Sequence, residues 1–531
     1  MKKYIISALA FLCLLGGGVT MTSCSDVDGV KDVDLPRVLM PYDLTAVADQ
    51  MEPAITVSWE GTSNAQYYVI EAFLDDPDFE GTPVASAEVH GTEYTFTDLL
   101  GETMYNIRVK GVAENKEDSH WAIINRATAP EQILSIPYIG IEETAILITW
   151  PTRKEVNAYK VLQNGRVIQS GEISSNEAAS GRKYITGLEG GTTYTFEVYL
   201  DEKRRGYIDE TTEIGAPIGC DYTIELTPSE LSDQYTIQDV LDEIATQAAT
   251  DGKTSYSVAV LLQPGGVYPF KKLKSDGTTD NVLIPDGMSV TFYGDKDDAP
   301  TLDIQCTQVN INGNHDVIAF QKVNLQGAKY FLNQSGACDV GKLEFTLCTI
   351  SGFTGNTFIR TQGSNNPTIG SIELNKCLLS NCGGNYDIFD LRKATVGTLS
   401  IKNSTLYNCA GSKSIVQSDK VLRNFIMDGV TVYNCVKNQP TYKLGSTGEK
   451  VTITNVLFAK SADTGTNAST AAAKPVVNNT YLTSDWLLPI TGATSLDVSA
   501  EDIFYNPESG NFTIRDEYKD VLNAGDPRWI K

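Results

Sequence analysis

The chain has 531 residues and a formal net charge of −25, from 42 lysines and arginines against 67 aspartates and glutamates. That length allows about three or four domains, and so acidic a balance argues against nucleic acid or an anionic membrane surface as a partner. Forty-four glycines and 25 tyrosines, with few helical periods, indicate an all-β chain of short strands.

The N-terminus reads "MKKYIISALAFLCLLGGGVTMTSCSD": Lys2 and Lys3, an apolar run from Tyr4 to Leu15, then small residues up to Cys24. The run is too short to span a bilayer and has the layout of a cleaved export signal. A cysteine directly after Thr22 and Ser23 resembles the lipobox of bacterial lipoproteins. That resemblance implies removal of residues 1–23, lipidation of Cys24 and attachment to the outer membrane, facing the cell exterior, through the lipid alone. A plain secretory signal that happens to hold a cysteine is the alternative. Residues 24–36 follow as an acidic tether, "SDVDGVKDVD", similar to the export signal of surface lipoproteins of glycan-degrading Gram-negative anaerobes.

Residues 37–129 alternate in short strands, "ITVSWEGTSNAQYYVIEAF" and "YTFTDLLGETMYNIRVKGV", with Trp59 and a leucine–tyrosine pair six apart, Leu99 and Tyr105. Residues 130–217 repeat the grammar with Trp150, Tyr159, Leu188 and Tyr194. Both segments resemble fibronectin type III domains, in which the tryptophan fills the space between two sheets and the tyrosine hydroxyl pins a corner. A sugar-stacking role for Trp59 or Trp150 is the competing reading. Residues 218–289 open the next domain with "YTIQDVLDEIATQAATDG", an amphipathic helix with Ile237, Leu241, Ile244 and Ala248 on one face, then "VAVLLQPGGVYPF" as a first coil.

Six similar segments follow within residues 290–461, starting at Ile318, Leu343, Ile372, Leu399, Phe425 and Val451, in steps of 25, 29, 27, 26 and 26 residues. Apolar or small residues fall at offsets 0, +2, +5, +7 and +10: a strand, a two-residue corner and a second strand. One such coil cannot bury its own face, so the coils must stack about 4.8 Å apart around a shared interior. The pattern resembles the right-handed parallel β-helix of pectin-lyase-like proteins. The expected fold is therefore all-β, two fibronectin type III sandwiches and a right-handed parallel β-helix with an N-terminal helical cap.

Cys348 and Cys377 share offset +5, and Cys382, Cys409 and Cys435 share offset +10. They read as interior columns of unbonded thiols, because parallel side chains at strand spacing lack disulfide geometry. A metal would want histidines as well, and the chain has three. Asn403, Gly429 and Asn455 sit at offset +4, where a left-handed backbone is wanted, and Asn381, Asn408 and Asn434 form a second ladder. The repeat dissolves after Ser461. Residues 462–531 end in a stretch similar to that of an uncharacterised domain family of such lipoproteins, and should pack along or across the solenoid.

A third strand lies between offset +10 and the next coil: "TFIRT", "DIFDLR" and "SIVQS". With Ile359, Phe389, Leu391 and Val416 inward, parity turns Arg360, Asp390, Arg392 and Gln417 outward as a polar row, flanked by Phe358 and Ile388. In pectin-lyase-like enzymes the sugar cleft lies along this face, so these six residues are the candidate glycan-binding site; a solvated strip is the bland alternative. Residues 318–461 carry 15 lysines and arginines against 8 acids, leaving 27 against 59 elsewhere. A basic solenoid in an acidic chain suits a polyuronate.

The expected function is capture of an acidic, pectin-like polysaccharide at the cell surface, together with other glycan-uptake proteins. The runner-up is a polysaccharide lyase, with Arg360, Arg392 or Lys393 as the base of a β-elimination; a structural or adhesive stalk is the third reading. No catalytic residue is assigned and no cofactor is expected. Calcium is the one exception to weigh, at the acidic turn of Asp295, Asp297 and Asp298, which more simply reads as a solvated turn.

Overall fold

A computed structural model describes residues 35–530 except 50–51, 364–366, 412, 438, 446–449, 462–468, 470–473 and 520–521. The export signal, Cys24 and nearly all of the tether lie outside the described residues. The chain divides into two compact units, one built on residues up to 134 with 150–181 and 195–208, the other on 135–149, 182–194 and 209 onward.

In the first unit a three-stranded antiparallel sheet (Tyr42–Ala48, Ile55–Glu60, Glu93–Phe96) faces a four-stranded one (Ala85–Val89, Tyr67–Leu74, Met104–Val112, Ala122–Ala127). Strand alternation decides what is inside: Ile55, Val57 and Trp59 are buried while Thr56 and Ser58 between them are not. Trp59 meets Tyr68 edge-on at 5.4 Å, and the buried Tyr105 hydroxyl accepts the Leu100 N–H at 2.8 Å. This is a fibronectin type III sandwich with its corner pinned as expected. The second fibronectin-like segment is shared between the units. Within the first, Ala158–Gln163 pairs with Arg166–Glu172; within the second, Ala145–Thr149 pairs with Arg182–Thr186 and Tyr194 accepts the Glu189 N–H at 3.0 Å. Trp150 is buried like Trp59, so neither ring is available as a platform for a sugar.

The second unit holds a parallel β-helix. Its first strand is Tyr222–Leu226, paired in parallel with Tyr256–Leu262. The six repeat starts form one ladder, Ile318 beside Leu343, Ile372, Leu399, Phe425 and Val451 in turn, and each is at most 2% exposed. Two positions on, Phe292, Phe320 and Phe345 stack at 5.2 and 5.5 Å with nearly parallel rings. Corner residues take left-handed backbone, Asn403, Gly429 and Asn455 at one bend and Asn381, Asn408 and Asn434 at the other. The asparagine side chains cross-link neighbouring coils, Asn434 donating to Asn408 at 2.7 Å. Cys348, Cys377, Cys382, Cys409 and Cys435 are buried and unbonded.

A third face of seven short parallel strands completes the coils: Val282–Ile284, Val309–Ile311, Leu332–Gln334, Ile359–Thr361, Phe389–Asp390, Val416–Ser418 and Tyr442–Leu444. The helix Ile237–Thr250 closes the N-terminal end, with Ile237, Leu241, Ile244 and Ala248 buried as expected. Its Gln238 side chain accepts the Leu283 N–H at 2.7 Å and donates to the Leu283 carbonyl at 3.0 Å. One amide side chain thus satisfies backbone groups that the edge strand would otherwise leave open.

The solenoid does not end at Ser461. Val476–Asn478 and Tyr481–Leu482 continue the parallel ladder, with Val477 beside Ile453 and Leu482 beside Phe458. The remaining extension packs along the outside: Phe504, Phe512, Ile514 and Leu522 form one buried cluster with the outward Tyr433, Leu457 and Ala459. Beside it, the buried Asp526 carboxylate accepts the Thr405 hydroxyl at 2.7 Å and the Arg528 N–H at 3.0 Å.

Candidate functional site

The third face brings the charged row together. Asn333, Arg360, Asp390, Gln417 and Lys443 occupy the same register position on five successive strands. Ile359, Phe389, Leu391 and Val416 are fully buried, as parity requires. Arg360 and Arg392 are partly exposed, with 31% and 40% of their side-chain surfaces accessible. Gln417 is half-buried and Lys443 exposed.

Three of the six expected glycan contacts are placed differently. Phe358 and Ile388 do not flank the row; both are fully buried. Each precedes the first strand residue, Ile359 or Phe389, and alternation does not extend back through a bend. Phe358 instead packs on Phe331 at 5.4 Å and Phe353 at 5.2 Å. Asp390 shares the row's register but is only 3% exposed. Arg392 covers it with a two-pronged ion pair, Nε at 2.8 Å and a terminal nitrogen at 2.7 Å, and Arg360 approaches at 3.7 Å. Asp390 therefore orients the two guanidiniums.

The pair sets the local electrostatics. Hydrogen bonding to Asp390 holds the Arg392 guanidinium protonated even more firmly than usual. Arg360 also donates to the Tyr330 hydroxyl at 3.1 Å. Asp387, buried and accepting the Ser414 N–H at 3.0 Å, has its carboxyl pushed up by burial. At the acidic turn, Asp295 accepts the N–H groups of Asp297 and Asp298 at 2.8 and 3.0 Å, so one of its oxygens serves its own loop. Among the described residues no group of three or more His, Cys, Asp or Glu side chains is placed to hold a metal ion.

A feature the repeat reading passed over is a cleft of about 730 Å³ in the second unit. One wall is the segment 209–214, the other the outward side chains of the long solenoid strands, among them Glu373, Lys402 and Asp428. The signal was present, since offsets +1 and +3 carry charged and polar residues on successive copies. What faces them is distant in sequence.

Residues 399–529 match the family model described as "Domain of unknown function (DUF5123)". Among solved structures, a two-domain fibronectin type III segment of chicken tenascin is similar at 18% identity with a TM-score of 0.24, over 32% of this chain and 97% of that one. The FN1–FN3 domains of chicken CNTN1 are similar at 18% identity with a TM-score of 0.15, over 34% of this chain and 68% of that one. No curated protein matches.

Proposed function

We propose that the protein is a lipid-anchored outer-membrane protein that captures an acidic, pectin-like polysaccharide outside the cell and presents it to other surface proteins for uptake and degradation. The observation that carries this reading is the row of Arg360, Gln417 and Lys443 with Arg392 beside it, laid along one face of a regular stack. Stacked coils repeat every 4.8 Å or so, which suits a linear polymer with an anionic group at regular intervals. Each guanidinium has five donors, and Arg392 spends two of them on Asp390, leaving others for carboxylates of the glycan. The surplus of cationic side chains over residues 318–461 supports the same ligand class.

Elimination chemistry is not part of the proposal. A base must be able to lose its proton near the working pH, and Asp390 moves Arg392 the other way. No observation favours Arg360 or Lys393 in that role.

The test is affinity electrophoresis of the tether-free protein in polygalacturonate at rising salt. Retardation that fades with salt is expected, with Arg360→Ala combined with Lys443→Ala weakening it at least tenfold. Arg392 is left in place because its removal would strand the buried Asp390 carboxylate. Retention that ignores both substitutions, or growth of an ultraviolet-absorbing unsaturated uronate, would overturn the reading. For the anchor, Cys24→Ala should release the protein from the membrane fraction, and continued pelleting would dismiss the lipid. No described helix is long and apolar enough to cross a membrane.

A further inference from the structure

The cleft of about 730 Å³ carries a second inference, on a different face from the arginine row. Its solenoid wall is built from ladder neighbours, Glu373 beside Ser400 and Ile426, and Asn375 beside Lys402 and Asp428. These alternate with the buried leucines and isoleucines of the core, so the wall is fixed by the same register that fixes the fold. The facing segment adds Glu210 and Glu213.

Lys376 is the informative residue. It stands at a solenoid corner in left-handed conformation, lines the cleft and is 9% exposed. Among the described residues its ammonium has no hydrogen-bond or ion-pair partner, and it lies 5.7 Å from the Tyr138 ring. Burial accordingly draws its pKa down, against the opposing pull of Glu210 and Glu213. With no acceptor from the chain, the Lys376 ammonium keeps its three N–H donors for solvent or a ligand at the cleft wall. Opposite polarity is close by: Glu373 and Asp428 each take one hydrogen bond from a neighbour, Ser371 at 2.8 Å and Asn455 at 2.9 Å, and are otherwise acceptors facing the space.

We infer that the cleft binds a neutral, hydroxyl-rich ligand, a hexose or short neutral oligosaccharide, whose oxygens accept from Lys376 while its hydroxyls donate to Glu373 and Asp428. A sugar hydroxyl both donates and accepts, which is what a wall of mixed carboxylates and ammoniums requires. An anion is disfavoured because acids outnumber lysines around the cleft: Glu213 is paired with Lys296 at 3.1 Å, and Asp209, Glu210, Glu373 and Asp428 stand against Lys376 and Lys402. A cation would meet Lys376. The volume lies within the range of small-molecule sites, roughly 300–1,000 Å³.

The experiment is isothermal titration of the full mature chain with cellobiose, mannobiose and galactobiose, and with digalacturonate as the acidic counterpart. At least one neutral disaccharide is expected to bind, with Lys376→Met weakening it tenfold or more. Methionine is compatible with the site, because Leu347 takes the same left-handed corner one coil earlier. Ser400→Trp, which fills the cleft from an outward position, provides a second variant and should abolish binding with the circular dichroism spectrum unchanged. Absence of heat with all three neutral sugars, binding that survives Ser400→Trp, or Lys376-dependent binding of digalacturonate alone would each overturn the inference.

Discussion

In the sandwich of residues 42–127 every core contact joins strands of unrelated sequence, whereas in the solenoid a given position rests on its own counterpart in the next coil. The sandwich therefore fixes its register with unique devices, such as the Tyr105 hydroxyl on the Leu100 N–H. The solenoid fixes it by repetition: columns of like side chains and bends that demand left-handed backbone at the same offset. One lost pin affects one corner of a sandwich, but a mismatch in a column is felt by the coils on both sides. The two regions should consequently respond differently to substitutions of similar chemistry.

The largest effect is expected from Phe345→Ala, which opens a void between Phe320, Phe331 and Phe358, all within 5.5 Å of the ring. Removing a buried phenylalanine costs about 3–5 kcal/mol. In guanidinium titrations of the whole chain the solenoid's transition should move to lower denaturant while the sandwich's stays in place. A shift of both together would show that the two regions do not unfold independently.

Next in size is a pH effect on the solenoid's outer surface, where the repeat gives way to the C-terminal extension. Burial raises the Asp526 carboxyl to about 6 from an ordinary 3.8. The folded state thus holds that proton more tightly than the unfolded chain does. The stabilisation is complete below about pH 4 and is lost as pH rises through about 6, a swing of about 3 kcal/mol. Asp526→Asn can keep the Arg528 N–H and offer an amide to Thr405. The difference in stability between the two proteins should therefore change over that window and be flat above it; a constant difference from pH 4 to 8 would remove Asp526 as the cause.

Tyr105→Phe tests the sandwich in turn. It leaves the Leu100 N–H without its acceptor, at a cost of about 1–3 kcal/mol, and should shift the sandwich's transition alone. At the solenoid bend, Asn403→Ala must hold alanine at φ 47°, costing about 1–2 kcal/mol, and it also removes the 3.2 Å hydrogen bond to Asn375. Asn403→Gly keeps the backbone, as Gly429 does at the same offset, so glycine should be better tolerated than alanine. Equal losses for glycine and alanine would mean that the side-chain ladder, which both variants remove, rather than the backbone fixes the bend.

The same contrast explains what could be read from sequence. Columns were legible because repetition averages over local ambiguity: a single apolar residue says little, but six at one offset define an interior. Legibility failed where a coil departs from its neighbours. The coil after Ser461 keeps its spacing, with Val476 24 residues beyond its partner Thr452, but Asp485 stands where earlier coils have cysteine or serine, so the apolar pattern breaks. Phe358 and Ile388 failed for a different reason, since they sit in bends where period two has no force. Asp390 was placed on the right strand, yet its burial depends on two arginine rotamers that no spacing encodes. One wall of the cleft was legible in offsets +1 and +3, but the cleft itself was not, because residues 209–214 and 373–428 are brought together only by the folded chain.

The smallest expected effect concerns the thiols at offset +10, where the solenoid holds three cysteines in one column without joining them. Cys382, Cys409 and Cys435 are fully buried, and each Sγ has a backbone carbonyl within reach in its own coil, at 3.3, 3.3 and 3.2 Å. The Cys382 and Cys409 N–H groups point at the next sulfur along the column, at 3.5 and 3.4 Å. Strand spacing keeps the side chains parallel, and a disulfide would need the β-carbons to turn toward each other. Burial also pushes the Cys382 and Cys435 thiols well above their ordinary pKa, which suppresses the thiolate at those two positions. Dithiothreitol should therefore leave the unfolding midpoint unchanged. A thiol reagent applied to the folded protein should modify the half-buried Cys220 well before the column, and the column only as the solenoid unfolds. Rapid labelling of Cys409 in the native state would show that coils part locally, and a fall in midpoint on reduction would show that the column is bonded.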